Sequence, residues 1–281
     1  MPEETLSPPA VGVSKAVVQG RQARMRWLRR FGEPFLVVVV ILAIFEVLVR
    51  SGVIDSHALP APTTIVASFF DDIQHGAVWS ALGGTLLAWV VGMLGVIVIG
   101  VPLGMLLGLN RTVYSATQPT FEFIRTVPSI AALPLLILLF GISARLAELM
   151  VFVGAIWPVL IQAMYGVQDV DPAAKDLGRA YGLGRLRLFF QIVLPSSLPY
   201  VITGFRLASI IGLLLSVSAS LLAGGNGIGL LISKAQFSDD PGLIYARIML
   251  VGLVGLIVSL TVNYLARKVL FWHASQREVL T

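Results

Sequence analysis

Long apolar runs separated by short polar connections dominate the pattern of this chain. An α-helix needs roughly 20 apolar residues to cross the hydrocarbon core of a bilayer. Six runs approach or exceed that length: Pro34–Val49, Val78–Leu109, Phe121–Phe140, Leu146–Val167, Leu198–Ala223 and Ala246–Ala266. The first is short, and the second is long enough to tilt or to project beyond the bilayer. The pattern predicts an all-α integral membrane protein with six transmembrane helices.

The composition agrees with a membrane protein. Hydrophobic residues make up 57% of the 281 positions, and the mean hydropathy is +0.88. Soluble domains average about 45–50% apolar residues. The formal net charge of +5 does not indicate nucleic-acid binding, because the basic residues flank the apolar runs. The chain has no cysteine, which excludes disulfides, thiol catalysis and cysteine-based metal sites.

The distribution of Lys and Arg predicts the orientation of the spans, since cytoplasmic connections carry the excess. Fourteen lie in the N-terminal segment, two alternate connections (Asn110–Thr120 and Gln168–Ser197) and the C-terminal segment that follows Ala266. Only two lie in the other connections, Ser51–Ala77, Gly141–Arg145 and Gly224–Tyr245. Both termini are therefore predicted to be cytoplasmic. The predicted divisions are a cytoplasmic tail at 1–33, a transmembrane domain at 34–270 and a second cytoplasmic tail at 271–281.

The N-terminal tail combines two predicted parts. Met1–Lys15 is polar and contains prolines, and we expect it to be disordered. A basic cluster follows and is expected to contact anionic lipid on the cytoplasmic side. It consists of Arg21, Arg24, Arg26, Arg29 and Arg30.

Charged residues in or near the apolar runs are few: Glu46, Glu122, Arg125 and Arg206. Each would cost about 2.5–3.5 kcal/mol at the bilayer centre. Arg125 and Arg206 lie near predicted cytoplasmic ends, where their side chains are expected to snorkel, and Arg125 has helical spacing for a pair with Glu122. Glu46 lies deeper and has either a structural partner or a role in a pathway.

Two features indicate how the helices pack and bend. Gly100, Gly104 and Gly108 share one helix face and allow another helix to approach closely, either within the chain or at a subunit interface. Pro128 and Pro134 fall in the third predicted span and leave backbone carbonyls without their helical partners.

The sequence contains no recognisable catalytic or metal-binding pattern. No lysine follows a glycine, so the chain has no phosphate-binding P-loop. The stretch GGNGIG at Gly224–Gly229 follows an apolar run rather than a strand and predicts a tight turn with glycines at positive φ. The histidines His57, His75 and His273 lack metal-ligand spacing. We therefore do not expect an enzyme.

A basic segment with three glycines, KDLGRAYGLGRLRLFFQIVLP at Lys175–Pro195, interrupts the apolar pattern. Asp171 and Pro172 are predicted to start a first short helix, which Gly182 and Gly184 end, with Gly182 at positive φ. A second short helix is predicted to lie against the membrane face, with one apolar stripe formed by Leu186, Phe189, Phe190 and Val193. Pro195 and Pro199 are then expected to start the fifth span.

This hairpin resembles the cytoplasmic motif EAA-x3-G-x9-I-x-LP of the permease subunits of bacterial ABC importers. Ile192–Pro195 matches the end of the motif, and the required glycine falls at Gly182. Asp176 keeps the acid of the triplet, whereas Leu177 and Gly178 replace its two alanines. Further stretches are similar to the nitrate, sulfonate and taurine branch: FEVLVRSGVI, LPAPTTIVASF, GVPLGMLLGLNR, FIRTVPSIAALPLLILLFGIS and LPSSLPYVITGFRLA.

The resemblance implies a type I ABC importer-like fold in which the hairpin couples the spans to a separate ATPase. The implied coupling residues are Ala174, Asp176, Leu177, Arg179, Ala180, Tyr181, Gly182 and Leu183. The implied partners are two ATPase subunits that carry ATP and Mg, a second copy of this chain, an extracellular or periplasmic binding protein, and membrane lipid. No cofactor is expected on this chain, and the implied location is the bacterial cytoplasmic (inner) membrane.

The branch takes up small oxidised anions: sulfonates, taurine, nitrate, bicarbonate or aromatic carboxylates. Serines within the apolar runs are candidates for the path of such an anion, or they form hydrogen bonds between helices instead. They are Ser129, Ser216, Ser218 and Ser220. The alternatives are an ABC permease for another small solute, such as a pyrimidine precursor, an ion-gradient-driven secondary transporter, and a membrane scaffold without transport activity.

Overall fold

The structure is a computed structural model of the chain and describes residues 33–271. The predicted disordered tail, the arginine cluster at 21–30 and the C-terminal tail from residue 272 lie outside the described residues. Contacts within the chain divide it into two compact units, Met1–Thr64 and Ile65–Thr281.

In the first unit, helix α1 covers residues 33–50 and carries Glu46. The Glu46 carboxylate accepts a hydrogen bond from Arg50 one turn later. It also accepts hydrogen bonds from the backbone N–H of Thr63 at 3.0 Å and from the Thr63 hydroxyl at 2.7 Å. Of the two alternatives for Glu46, the structure shows a structural partner.

Every other regular element of the described chain is also helical, as the apolar pattern predicts. These helices are α2 (Pro62–Asp72), α3 (Gly76–Leu109), α4 (Arg111–Ile124), α5 (Leu133–Phe140), α6 (Ala144–Gln168), α7 (Pro172–Ala180), α8 (Arg185–Ala223), α9 (Ile228–Phe237) and α10 (Pro241–Val269). Two of them contain a π-helical turn, at Val96–Gly100 in α3 and at Phe189–Val193 in α8.

Four of the described helices, α3, α6, α8 and α10, are long and apolar enough to cross a membrane. The helix α1, which corresponds to the first predicted span, is not among them. A fifth candidate span is a bent pair, α4 and Ser129–Phe140, whose axes differ by 83°. The count of six spans is therefore not confirmed.

The third predicted span, Phe121–Phe140, is wrong as a single helix. Helix α4 ends at Ile124, and Pro128 has an extended backbone (φ −59°, ψ 113°) and no N–H to continue the helix. Beside the break, Arg125 pairs with Glu122 at 2.9 Å, which confirms the predicted local pair. Glu122 also accepts a hydrogen bond from the Tyr165 hydroxyl, so this pair joins α4 to α6.

The prediction of a separate second short helix in the basic segment is also wrong. Helix α8 runs without interruption from Arg185 to Ala223, although it contains Pro195 and Pro199. The π-helical turn directly before Pro195 widens the helix where that proline lacks its N–H, which explains why the chain continues.

The predicted apolar stripe at the start of α8 does not lie on one covered face. Val193 is buried and Phe189 packs beside it, but Leu186 and Phe190 are 76% and 60% exposed. The exposed pair leaves an uncovered apolar surface at the beginning of this helix.

Helix α6 forms the centre of the second unit, and the glycine face of α3 packs against it. A Cβ atom at Gly104 would lie 2.3 Å from the Leu160 carbonyl oxygen, and one at Gly108 would lie 2.8 Å from that of Met164. The small-residue face is therefore used for close packing within the chain.

Two short helices lie in connections that the sequence pattern left without structure. Helix α2 lies between α1 and α3, and α9 lies between α8 and α10. The predicted turn at GGNGIG is confirmed, since Gly224 and Gly225 have φ values of 81° and 95° directly before α9.

Candidate functional site

The turn between α7 and α8 is a well-defined helix C-terminus. Asp171 caps the start of α7 by accepting a hydrogen bond from Ala173 N–H at 2.8 Å. At the end, Gly182 N–H donates to Arg179 O at 2.9 Å and Leu183 N–H donates to Gly178 O at 3.0 Å. This is the Schellman arrangement, which requires a left-handed residue. Gly182 supplies it at φ 76°, so its predicted positive φ is confirmed.

Gly178 lies at the contact between the two helices. It is buried, and an added Cβ would lie 2.7 Å from the terminal side-chain carbons of both Leu188 and Ile192 on α8. A side chain at this position would require the ends of these two side chains to move. The departure from alanine at Gly178 therefore has a packing reason.

The other face of α7 is uncovered. Of the predicted coupling residues, Ala174 and Leu183 are half-buried and the remaining six are exposed: Asp176, Leu177, Arg179, Ala180, Tyr181 and Gly182. Leu177 and Tyr181 are 59% and 80% exposed, and Asp176 pairs with Arg179 at 2.8 Å. A polar-rimmed apolar patch of this kind is typical of a protein interaction surface.

Two of the four candidate path serines are fully used in hydrogen bonds between helices. Ser216 donates to Thr85 O on α3 at 2.9 Å. Ser220 donates to carbonyl groups one turn earlier and accepts from Gly229 N–H on α9 at 3.2 Å. Both are buried, as the hydrogen-bonding alternative requires.

The other two candidate serines keep a partly exposed surface. Ser129 is half-buried beside Gly154 of α6, and Ser218 is half-buried on α8. Within residues 33–271, neither serine side chain forms a hydrogen bond to another helix.

Sequence reasoning missed the residue that joins these contacts, Thr85. Its hydroxyl accepts from Ile228 N–H at 2.9 Å and donates to Ala81 O at 3.2 Å. Ser80 and Thr85 are the two hydroxyl residues of the apolar run Val78–Leu109, and the deeper position of Thr85 in that run was the available signal.

Arg206 is half-buried on α8, and its predicted snorkelling stays a prediction. It lies well inside α8, and its Nε atom is buried and has no hydrogen-bond partner within residues 33–271. A buried guanidinium nitrogen without an acceptor costs free energy, so an acceptor from outside the chain would be favoured there.

Residues 100–271 match the family described as "Binding-protein-dependent transport system inner membrane component". The match covers more than half of the chain and includes the hairpin of α7 and α8. The chain belongs to this family.

Several relatives in this family are similar along most of their length. The nitrate import permease protein NrtB of Leptolyngbya laminosa is 34% identical over 196 residues, which is 70% of each chain. The putative aliphatic sulfonates transport permease protein SsuC of Bacillus subtilis (strain 168) is 30% identical over 88% of this chain and 90% of its own. The taurine transport system permease protein TauC of Escherichia coli (strain K12) is 24% identical over 91% and 96%. The resemblance to the nitrate, sulfonate and taurine type is thus confirmed.

The fold agrees with the family. A solved structure described as inward-facing conformations of the MetNI methionine ABC transporter superposes with a TM-score of 0.60 at 18% identity. The superposition covers 69% of this chain and 96% of the solved chain. For a binding-protein-dependent permease, the family implies a substrate-binding protein and an ATPase as partners.

Proposed function

We propose that this chain is the membrane-spanning permease subunit of an ABC importer and moves a small oxidised anion into the cell. The proposal rests on the similarity of this chain to permeases that are named for the transport of nitrate, aliphatic sulfonates, taurine and bicarbonate. The anion classes considered are sulfonate, taurine, nitrate, bicarbonate and aromatic carboxylate. A separate ATPase supplies the energy, with ATP and Mg bound on that partner.

Coupling is assigned to the exposed face of α7. Its apolar side chains Leu177 and Tyr181 are available to a cleft of the ATPase, while Gly178 keeps the opposite face tightly packed on α8. The Schellman turn at Gly182 makes the hairpin rigid, so a displacement of α7 is transmitted to α8. Because α8 continues as one helix to Ala223, a movement at the hairpin extends across the bundle.

The assembly contains two copies of the permease, two ATPase subunits and an external binding protein. Both termini and the hairpin lie on the cytoplasmic side of a bacterial inner membrane. The connections that contain α2 and α9 face the binding protein. The Lys and Arg distribution along the chain supports this orientation.

Arg206 fits an anion path. Its buried Nε lacks an acceptor within the described chain, and an oxidised anion supplies acceptor oxygens. Ser129 and Ser218 add partly exposed hydroxyls that can donate hydrogen bonds. A single half-buried cation binds an anion without the strong retention expected from a cluster of charges.

The orientation is tested by cysteine labelling on this cysteine-free background. Arg185→Cys on the hairpin is expected to be protected from an impermeant reagent added to intact cells. Ser238→Cys between α9 and α10 is expected to react. Labelling of residue 185 from outside refutes the orientation.

The ATPase partnership is tested by purifying the permease from its native membrane. An ABC-type ATPase is expected to co-purify with the unmodified protein and with Arg187→Gln, but to be lost with Leu177→Asp. Absence of an ATPase from the unmodified complex, or equal retention by Leu177→Asp, contradicts the assignment.

A further inference from the structure

A cavity of about 350 Å³ lies between the coupling hairpin and the ends of α3 and α6. It is bounded by the end of α3, the start of α4, the end of α6, and parts of α7 and α8. Three basic side chains line it: Arg111, Lys175 and Arg179. None of the lining residues is an acid.

The positive charge of this cavity is only partly compensated. Arg179 pairs with the exposed Asp176. Among residues 33–271, no ion pair involves Arg111 or Lys175. Arg111 on α4 and Lys175 on α7 therefore line the same partly open cavity without an ion-pair partner among residues 33–271.

Lys175 is held in place and partly removed from water. It is half-buried, and its Nζ donates to the Val167 carbonyl oxygen at 3.3 Å. The pKa of Lys175 is lowered, because burial desolvates its ammonium group and because Arg179 adds a second positive charge nearby. An anion in the cavity would relieve both effects.

Two helix starts lie at the cavity, since Arg111 is the first residue of α4 and Pro172 is the first residue of α7. Both starts are already capped: Asn110 accepts from Thr112 N–H and Val113 N–H, and the Asp171 carboxylate accepts from Ala173 N–H. An anion in the cavity is therefore expected to bind the basic side chains rather than the helix starts. The helix ends that also approach the cavity have carbonyl groups already bonded, since Gly108 O accepts from Gln168 and Val167 O accepts from Lys175.

We propose that this cavity binds one tetrahedral oxyanion, a phosphate or a chemically similar group, between Arg111 of α4 and Lys175 of α7. The bound group bridges the coupling hairpin to the helix that follows α3, and thereby holds the hairpin against the bundle. The site is separate from the transport path at Arg206 and does not depend on the identity of the transported solute.

The oxyanion has two possible sources, the headgroup phosphate of an anionic phospholipid and a soluble ion. The cavity lies at the end of the bundle where the membrane-length helices α3 and α6 finish, and in the proposed orientation this end is at the level of the cytoplasmic lipid headgroups. A lipid headgroup and a soluble ion present the same phosphate group to Arg111 and Lys175. Only an experiment distinguishes the two sources.

The test uses the full-length permease in lipid nanodiscs. In the first arm, phosphatidylcholine discs are titrated with radiolabelled inorganic phosphate. In the second arm, phosphatidylglycerol discs are used without phosphate, and lipid retained after gentle release is counted by native mass spectrometry. The unmodified protein is expected to bind one phosphate or to retain one phosphatidylglycerol. Binding in the first arm identifies a soluble ion, and retention in the second identifies a headgroup.

The variants localise the site. Arg111→Gln with Lys175→Gln is expected to weaken binding by at least about tenfold, because the variant loses both charged hydrogen-bond donors. Arg185→Gln with Arg187→Gln removes the same charge from the exposed surface of α8 and is expected to have no effect. Lys175→Arg keeps the charge and is expected to keep binding.

Two results overturn the proposal. The first is absence of binding in both arms with the unmodified protein, which leaves Lys175 as a cap for the α6 carbonyl group only. The second is an equal loss in the two double variants, which assigns binding to general surface charge. If the Arg111/Lys175 double variant does not fold, the unmodified protein, Lys175→Arg and the surface control still decide, because loss of binding in Lys175→Arg alone also contradicts a site defined by charge.

Discussion

Asp72 and Arg247 form a buried, bidentate ion pair across 175 positions of sequence. Arg247 Nε lies 3.0 Å from one carboxylate oxygen of Asp72, and Nη2 lies 2.9 Å from the other. The Arg247 side chain is only 11% exposed and the Asp72 side chain only 8%. Arg247 also donates to the Leu231 carbonyl oxygen, so one guanidinium joins α2, α9 and α10. In the proposed assembly, these contacts make the surface presented to the binding protein rigid.

Replacing only one member of the Asp72–Arg247 pair is expected to destabilise the fold. Arg247→Gln leaves the buried Asp72 carboxylate without its counter-charge, and we expect a loss of about 3–5 kcal/mol in the free energy of unfolding. A denaturant titration in detergent, followed by tryptophan fluorescence, measures it. Lys234→Gln removes an exposed charge from α9 and is the control.

Replacing both members of the Asp72–Arg247 pair is expected to restore stability. Asp72→Leu combined with Arg247→Met removes both charges, so the double variant is expected to regain most of the lost stability. If the double variant is as unstable as Arg247→Gln, the ion pair itself makes a net contribution to the free energy of unfolding, beyond offsetting the cost of burying its two charges.

The Thr85 hydroxyl is expected to hold the start of α9. Thr85→Val keeps the shape of the side chain but leaves the buried Ile228 N–H without an acceptor, at a cost of about 1–3 kcal/mol. Thr85→Ser keeps the hydroxyl and is expected to stay closer to the unmodified protein. Amide hydrogen exchange at Ile228 reports the effect locally, and equal exchange in the two variants would rule out the hydrogen bond as the cause.

Gly182 and Gly184 provide a matched test of the coupling turn. A Cβ at either position meets no atom of this chain within 4 Å, but only Gly182 has a positive φ. Gly182→Ala therefore introduces backbone strain of about 1–2 kcal/mol, whereas Gly184→Ala introduces none. Both variants are expected to insert normally, and only Gly182→Ala is expected to reduce stimulated ATP hydrolysis in the reconstituted complex. Equal activity of the two variants would separate the turn from coupling.

The glycine face of α3 offers another matched pair. Gly104→Ala places a methyl group against the Leu160 carbonyl and is expected to force α3 away from α6 and lower the unfolding midpoint. Gly252→Ala on α10 adds a methyl group with no atom within 4 Å and is expected to be neutral or slightly stabilising. A destabilisation of similar size in both would point to a general effect of glycine replacement.

The features that local pattern predicts well are those set by neighbouring residues. The apolar run Val78–Leu109 corresponds closely to α3, because helix length and hydropathy are local properties. The positive φ of Gly182 and the turn at Gly224 and Gly225 follow from glycine's own conformational freedom. The Glu122–Arg125 pair likewise needs only helical spacing.

The features that were missed depend on contacts far apart in sequence or on competition between local signals. Asp72 and Arg247 carry no local sign of their pairing. Helices α2 and α9 lie in connections that hydropathy alone leaves without structure. Pro128 lies at the break after α4, whereas Pro195 lies inside the continuous helix α8, shortly after a π-helical turn. Local sequence signals alone do not distinguish the two prolines.

The central claim is that ATP hydrolysis by a partner, rather than an ion gradient, drives this permease. The most direct measurement is anion accumulation by vesicles that contain the purified complex and its binding protein, tested with nitrate, taurine, an alkanesulfonate and bicarbonate. We predict that at least one of these anions accumulates only with ATP and a functional ATPase, and that ionophores which abolish ion gradients have no effect. Accumulation that follows an imposed ion gradient and proceeds without ATP would contradict the account.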